Sequence, residues 1–323
     1  MISVIIATKD RAAVVKEIAL PSLVSQNTDD FEVIIWDASE NDATCDVVNA
    51  ASGVFAERGI PLRYFRAPRV GLASQRNDSI KEARGDVVFF IDDDCEVSSD
   101  GIAVLSRYFR DYRWLKGAGL PLVNKAGVNM KYIRHPFLRF FRDIIYYALM
   151  GRSDNYRRIR YSTRNSVPPL DYPGKAEWLS GGDMAIRKEV FARLKYDETL
   201  EIFGGYAMGE DYDFTHRVYL MYRQPLLITT SGSIVHHAAG GGRIPNPRKK
   251  AAAFFFNTGK IRMNYKQYAP YKLLPFLWEQ RVGAFFSMLM QGIRPTCVLA
   301  GYLDYRKTWQ QSHMVKEEEK NSR

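Results

Sequence analysis

Short apolar runs alternate with stretches of helical spacing from Ile2 to Asp94, and the last run opens directly onto three aspartates. Ile2 to Ala7, Phe31 to Trp36, Leu62 to Arg66 and Val87 to Ile91 read as strands. Ala12 to Leu23, Cys45 to Arg58 and Gly71 to Ala83 carry helical periodicity between them. This order predicts a parallel sheet closed by right-handed crossovers, an architecture used for nucleotide binding. In such sheets ligands gather at the carboxyl ends of the strands. Those ends carry Thr8 and Asp10, then Asp37, then Asp92, Asp93 and Asp94. The first strand is not followed by G-x-G-x-x-G, which argues against a dinucleotide site, and the absence of G-x-x-x-x-G-K-[ST] argues against a P-loop enzyme.

Val87-Val88-Phe89-Phe90-Ile91 has the continuous apolar character of a buried strand. Three adjacent carboxylates at its end repel one another unless a cation lies among them. Oxygen donors of this kind suit Mg2+ or Mn2+, which take a few carboxylates together with substrate phosphates. An Asp-rich turn without metal is the competing reading. Strand alternation turns Asp93 away from Asp92 and Asp94.

Several ordered motifs resemble family 2 glycosyltransferases. Val4-Ile5-Ile6-Ala7-Thr8-Lys9-Asp10-Arg11 is similar to their opening strand and T-x-N-R turn, and Trp36-Asp37-Ala38-Ser39-Glu40-Asn41-Asp42 to their D-x-S-x-D turn. Gly71-Leu72-Ala73-Ser74-Gln75-Arg76-Asn77 with Ala83-Arg84-Gly85-Asp86 resembles the segment leading into their D-x-D strand. Further on, Trp178-Leu179-Ser180-Gly181-Gly182-Asp183 looks like an acceptor-side stretch, although Asp183 stands where Asn or Cys is more usual. Gly209-Glu210-Asp211 matches the G-E-D motif, and His236-His237 precedes a glycine-rich run reaching Arg243.

The resemblance implies a GT-A fold: a Rossmann-like, mixed but mainly parallel α/β sheet followed by a C-terminal helical extension. It divides the chain into a catalytic domain over 1–240, an extension over 241–315 and a charged, disordered tail over 316–323. The catalytic domain has a nucleotide-binding half (1–98) and an acceptor half (99–240). It also implies roles. Thr8, Asp10, Asp37, Arg76, Asp92 and Asp93 would meet the donor nucleotide, with Arg76 on a phosphate. Asp94, Asp92 and His236 (or His237) would hold the metal. Trp178, Gly181, Gly182 and Asp183 would line the acceptor pocket. Asp211 would act as catalytic base with Glu210 in support, since a single inverting displacement needs a carboxylate to take the acceptor's proton. The metal would neutralise the leaving diphosphate.

Charge adds a second theme. The chain carries a net charge of +10, and from Gly240 to Val315 there are 12 Lys/Arg against 2 Asp/Glu. Another basic stretch runs from Lys131 to Arg164, and Phe137 to Tyr147 within it is amphipathic and aromatic. Such surfaces attract anionic lipid or phosphorylated substrates. Val282 to Met290 is apolar but too short to span a bilayer. Ala251 to Tyr265 and Leu273 to Ile293 read as helices, and Leu226 to Val235 as one further strand. Three cysteines (Cys45, Cys95 and Cys297) at unrelated spacings suggest neither a disulfide framework nor a zinc site. With no signal-peptide pattern at the N-terminus, the expected location is the cytoplasm, peripheral to the inner face of the plasma membrane.

These readings converge on transfer of a sugar from a UDP- or dTDP-linked donor to a saccharide or lipid-linked acceptor in cell-surface polysaccharide synthesis; nucleic acid is not an expected partner. A sugar nucleotidyltransferase and a non-catalytic basic membrane-binding protein are the rival readings. The first would want a glycine-rich, lysine-bearing loop after the first strand, which Thr8-Lys9-Asp10-Arg11 is not.

Overall fold

The computed structural model describes residues 1–124, 173–201, 207–239, 246–265 and 293–306. The four apolar runs form β1 (Ile2–Thr8), β2 (Phe31–Asp37), β3 (Leu62–Arg66) and β4 (Val87–Asp92). They pair in parallel in the order β3-β2-β1-β4. Side-chain alternation divides their apolar residues between two cores. Val4, Ile6, Val33, Ile35, Phe89 and Ile91 pack on one face, beneath α1 (Ala12–Val14, Val15–Ala19 and Leu20–Val24), α2 (Ala43–Glu57) and a later helix over Gly101–Asp111. Ile5, Ile34, Val88 and Phe90 pack on the other, against Ala73, Ile80, Tyr196 and Phe214. Burial on both faces explains why these strands are apolar throughout. Each buried Ile, Val or Phe contributes roughly 1.5–3 kcal/mol.

Local deviations have local causes. The middle segment of α1, Val15–Ala19, is π-helical and runs directly into Leu20–Val24. Pro21 sits in that last segment and has no N–H to return to the preceding turn, a usual setting for a widened turn. The helix expected over Gly71 to Ala83 is α3 (Leu72–Ser79) followed by a 3-10 turn over Ile80–Glu82. At the opposite sheet edge Gly85 is obligatory, because a Cβ there would lie 2.7 Å from the Met1 carbonyl oxygen.

Beyond β4 the sheet becomes mixed. After β5 (Cys95–Val97) come α4 (Gly101–Asp111), β6 (Gly117–Gly119), β7 (Leu122–Asn124), β8 (Gly174–Ala176) and β9 (Met184–Arg187). Strand β9 runs antiparallel between β4 and β6, with Phe90 opposite Met184. Its entry loop, Ser180 to Asp183, therefore lies beside the end of β4 that carries the aspartates. The strand expected over Leu226 to Val235 is two strands in two sheets. β10 (Leu226–Ile228) joins β6 and β8; β11 (Ile234–His236) joins β5 and β7 in a separate three-stranded sheet. Gly232, at φ +73°, turns the chain between them.

Between β9 and β10 lies α5 (Glu210–Tyr222), entered through Gly209 in the left-handed conformation at φ +83°. After β11, α6 (Pro247–Tyr265) packs against the segment that leads into α5. Asn257 Nδ2 donates to the carbonyls of Leu200 and Met208 at 3.1 and 2.9 Å, and Ile261 packs with Trp178 and Leu200. A final helix, α7, over 295–306, packs Val298, Tyr302 and Tyr305 against Ala251 and Phe255 of α6. No helix among the described residues is long and apolar enough to cross a membrane. The amphipathic segment 137–147, Arg243, the apolar run 282–290 and the tail 316–323 lie outside the described residues, as does the expected helix 273–293 apart from Ile293.

Candidate functional site

Strand register assembles the site. Thr8 pairs with Asp37 across β1 and β2, and Ala7 pairs with Asp92 across β1 and β4. Three strand ends thus bring Thr8, Asp37 and the aspartates to one edge. Strand β11 sets His236 opposite Cys95. Consequently Asp92, Asp94, Cys95 and His236 each offer a ligand atom, and these atoms all lie within 4.8 Å of one another.

The aspartates differ sharply in environment. Asp94 is buried, and His236 Nε2 lies 3.2 Å and Arg11 Nη2 3.0 Å from its carboxylate. Burial pushes its pKa up, but these two partners outweigh it and hold the group down at about 2. Asp93 turns to the other side, accepting from Thr8 Oγ1 at 2.6 Å with Arg11 Nη1 at 3.3 Å; burial lifts it to about 6 against those partners. Asp92 is the most open, with 38% of its side-chain surface exposed. Its pKa is raised by the protein packed around it and by Asp94, with Arg76 opposing. Water reaching the exposed part screens that push.

Arg76 differs from expectation. Instead of offering a fork to a phosphate, it is 2% exposed and held inside the protein. Nη1 donates to Glu210 Oε1 at 2.9 Å; Nη2 meets Asp92 Oδ1 at 3.4 Å and the Gly181 carbonyl at 3.2 Å. Its guanidinium also lies 5.8 Å from the Phe90 ring centre and 5.5 Å from that of Tyr196. A buried cation needs such compensation. One arginine therefore ties the end of β4 to the start of α5.

At that helix start, Glu210 is buried. Burial and the neighbouring Asp211 charge raise its pKa to about 7 while Arg76 opposes them. Asp211 is half-buried, and its carboxylate accepts from the N–H of Gly181 at 2.9 Å and of Tyr212 at 2.7 Å. Both acids stand at a helix N-terminus, where the macrodipole favours negative charge.

The loop from Trp178 to Asp183 threads between the Asp92, Asp94, Cys95 and His236 cluster and this helix. Its glycines permit close approach to protein groups: a Cβ at Gly181 would lie 2.8 Å from Arg76 Nη2, and one at Gly182 would lie 2.9 Å from Cys95 Sγ and 3.1 Å from Asp92 Oδ2. Asp183 is fully buried and faces β6, where its carboxylate accepts from the Leu120 N–H. Trp178 is 5% exposed and packs with Leu200 and Ile261, with Tyr212 at 6.5 Å. These two side chains thus face the interior, whereas the sequence suggested an acceptor surface.

At the end of β2, Asp37 is fully buried and accepts from the Ser39 N–H at 2.9 Å, the Ser39 hydroxyl and the Tyr64 hydroxyl at 3.0 Å. It fixes the turn after β2. Asp10 is exposed, adopts φ +56°, and donates its N–H to Ser39 Oγ at 2.7 Å. The two histidines point apart, as extended backbone requires. His236 faces the acids, while His237 Nε2 lies 2.7 Å from Glu96 Oε2.

Two members of this constellation were not assigned from sequence. Arg11 bridges Asp93 and Asp94 and reaches the Ala239 carbonyl at 3.4 Å. Its signal was a cation closing the turn after β1, facing three acids on the adjacent strand. Cys95 directly follows those acids, but a search for cysteine spacing alone passes over it.

Comparison with known proteins agrees with this architecture. The mannosyltransferase PcManGT from Pyrobaculum calidifontis, solved with GDP-Man and Mn2+, superposes with a TM-score of 0.53 at 18% identity, covering 96% of this chain and 83% of that one. S. aureus TarS 1-349 gives 0.51 at 15% identity, covering 95% and 73%. GalNAc-T7 with UDP, GalNAc and Mn2+ gives 0.53 at 16% identity, covering 88% and 54%. The fold is that of the GT-A glycosyltransferases. Residues 3–114 match the family model described as Glycosyl transferase family 2. A curated Bacillus subtilis (strain 168) relative, "Uncharacterized glycosyltransferase EpsJ", is 32% identical over 99 residues, a stretch spanning 31% of this chain and 27% of that relative.

Proposed function

We propose that this chain is a metal-dependent, inverting glycosyltransferase. It would take a sugar from a nucleoside-diphosphate donor, UDP- or dTDP-linked, to a saccharide or lipid-linked saccharide acceptor in cell-surface polysaccharide assembly. The observation that carries this reading is the link through Arg76. A single buried guanidinium joins Asp92, in the metal-ligating cluster, to Glu210, next to Asp211. The two halves that a displacement at an anomeric carbon needs, a cation at the leaving group and a carboxylate at the incoming hydroxyl, thereby share one rigid support.

The donor set fits a hard or borderline divalent cation. Asp92, Asp94 and His236 supply two carboxylates and an imidazole within 4.8 Å of one another. When bound, Mg2+ or Mn2+ would supply Lewis-acid stabilisation of the departing diphosphate. Relatives in this fold solved with UDP or GDP-Man and Mn2+ support a nucleotide-sugar donor and a divalent metal.

Asp211 would receive the acceptor's proton on Oδ1 or Oδ2, its orientation held by the Gly181 and Tyr212 N–H groups. Glu210, anchored to Arg76, would keep the start of α5 in register with β4. Asp37 and Asp10 would shape the nucleoside end through the turn at Ser39. The exposed Lys249 at the start of α6 belongs to the basic region and supports a peripheral contact with anionic lipid, while Arg248 beside it is paired with Asp304.

The test is titration of UDP, dTDP, GDP and CMP into the folded protein with and without Mn2+, followed by heat. Metal-dependent binding of UDP or dTDP, lost in Asp94→Ala, is expected, and binding of GDP or CMP instead overturns the choice of donor. Binding of none overturns the proposal.

A further inference from the structure

Cys95 gives the metal-ligating cluster a donor that Mg2+ and Mn2+ do not need. The Cys95 side chain is 1% exposed, and its Sγ lies within 4.8 Å of the ligand atoms of Asp92, Asp94 and His236. Gly182 keeps the space beside it clear: a Cβ at that position would come 2.9 Å from Sγ and 3.1 Å from Asp92 Oδ2. The backbone itself is arranged to hold the sulfur in register, because β11 pairs His236 directly with Cys95. An imidazole, a thiol and two carboxylates make a mixed set of four. Hard cations are indifferent to sulfur, whereas zinc and its borderline or soft congeners favour it.

We propose that this cluster binds thiophilic divalent cations (Zn2+, Co2+ or Cd2+) through a metal–sulfur bond to Cys95, alongside Asp92, Asp94 and His236. This inference rests on the metal site of the proposed function and adds a ligand and a selectivity to it. On binding, the Cys95 S–H bond breaks, its proton passes to buffer, and the sulfur lone pair forms the bond to the cation; no electron is transferred. Four protein donors match the coordination number of tetrahedral zinc. Such a cation would leave no position for a diphosphate, unlike Mg2+ or Mn2+, which keep further positions for water or phosphate.

Co2+ is the probe, because thiolate ligation adds a near-ultraviolet charge-transfer band to its visible absorption. Titrated into the full chain, Co2+ should produce both features. In Cys95→Ser the charge-transfer band should vanish while the visible Co2+ spectrum persists, and competition should show Zn2+ affinity lowered by about tenfold or more. The double variant Cys45→Ser/Cys297→Ser leaves Cys95 as the only thiol and should keep the band, so the inference remains open to refutation even if Cys95→Ser does not fold. Co2+ bound with no charge-transfer band, or a band lost in the double variant, overturns the Cys95 ligand and leaves the oxygen–nitrogen metal site standing. No Co2+ bound at all overturns both.

Discussion

Removing Arg76 should cost more stability than removing any surface arginine, and the cost should depend on pH. The side chain is 2% exposed and compensates Glu210 at 2.9 Å and Asp92 at 3.4 Å, while donating to the Gly181 carbonyl at 3.2 Å. In Arg76→Met the volume is nearly kept, but Glu210 is left as a buried carboxylate without its cation. Breaking a buried pair in this way costs about 3–5 kcal/mol, a large share of the ~5–15 kcal/mol that holds a typical domain folded. Glu210 has a folded pKa of about 7, above the ordinary 4.5. The folded state therefore binds its proton more tightly than the unfolded state, and this group's contribution to stability falls as pH rises between those values. Below that window Glu210 is neutral and Arg76 matters less; above it the carboxylate is charged and the missing cation is felt in full. The expected result is a drop in urea midpoint for Arg76→Met that is larger at pH 8.5 than at pH 5.5. Arg76→Lys keeps a charge but cannot reach all three partners, so an intermediate loss of about 1–3 kcal/mol is expected. A pH-independent loss below about 1 kcal/mol, the range of an exposed ion pair, would refute the reasoning.

Three other outcomes follow from the same geometry. His236→Ala should weaken Mn2+ binding by roughly 10–100-fold, the range seen when ligand shells are disturbed, whereas His237→Ala, which breaks only the contact with Glu96, should leave it nearly unchanged; calorimetric titration separates them. Gly182→Ala should destabilise by about 1–3 kcal/mol through overpacking against Cys95 and Asp92, read as a lowered Tm and a reduced Mn2+ affinity together. Asn257→Leu should cost about 1–3 kcal/mol by leaving the buried Leu200 carbonyl and the part-buried Met208 carbonyl short of a donor, and limited proteolysis should then cut the approach to α5 faster.

Much of the parallel part of the sheet, β1 to β4, was legible because its signals are local. Continuous apolar runs at β1, β2 and β4 pointed to parallel strands, and strand register brings the acids at their ends to one edge. The mixed half was less readable. Thr229 to Ser233 looks like the middle of one strand, yet Gly232 turns the chain and sends β10 and β11 into different sheets. Arg76 looked like an exposed phosphate ligand because sequence separation hides Glu210, which reaches it only through tertiary packing. Asp183 and Trp178 show the same limit: polar or aromatic residues beside a glycine pair suggest a pocket wall, but antiparallel β9 and the docked α6 turn both inward. Cys95 was missed for the reason that hid Arg76's pairing, since its partner His236 arrives from a strand far along the chain.

The central claim, that Asp211 takes the acceptor's proton beside a metal-held nucleotide, is tested most directly by comparing wild type and Asp211→Asn for release of nucleoside diphosphate from the bound sugar donor, with water as the incoming hydroxyl that receives the sugar. Donor affinity is measured on both proteins. Matched affinity with a release rate lowered by about 10²–10⁴-fold, the usual contribution of a positioned base, is predicted. Equal rates at equal donor affinity would contradict the account.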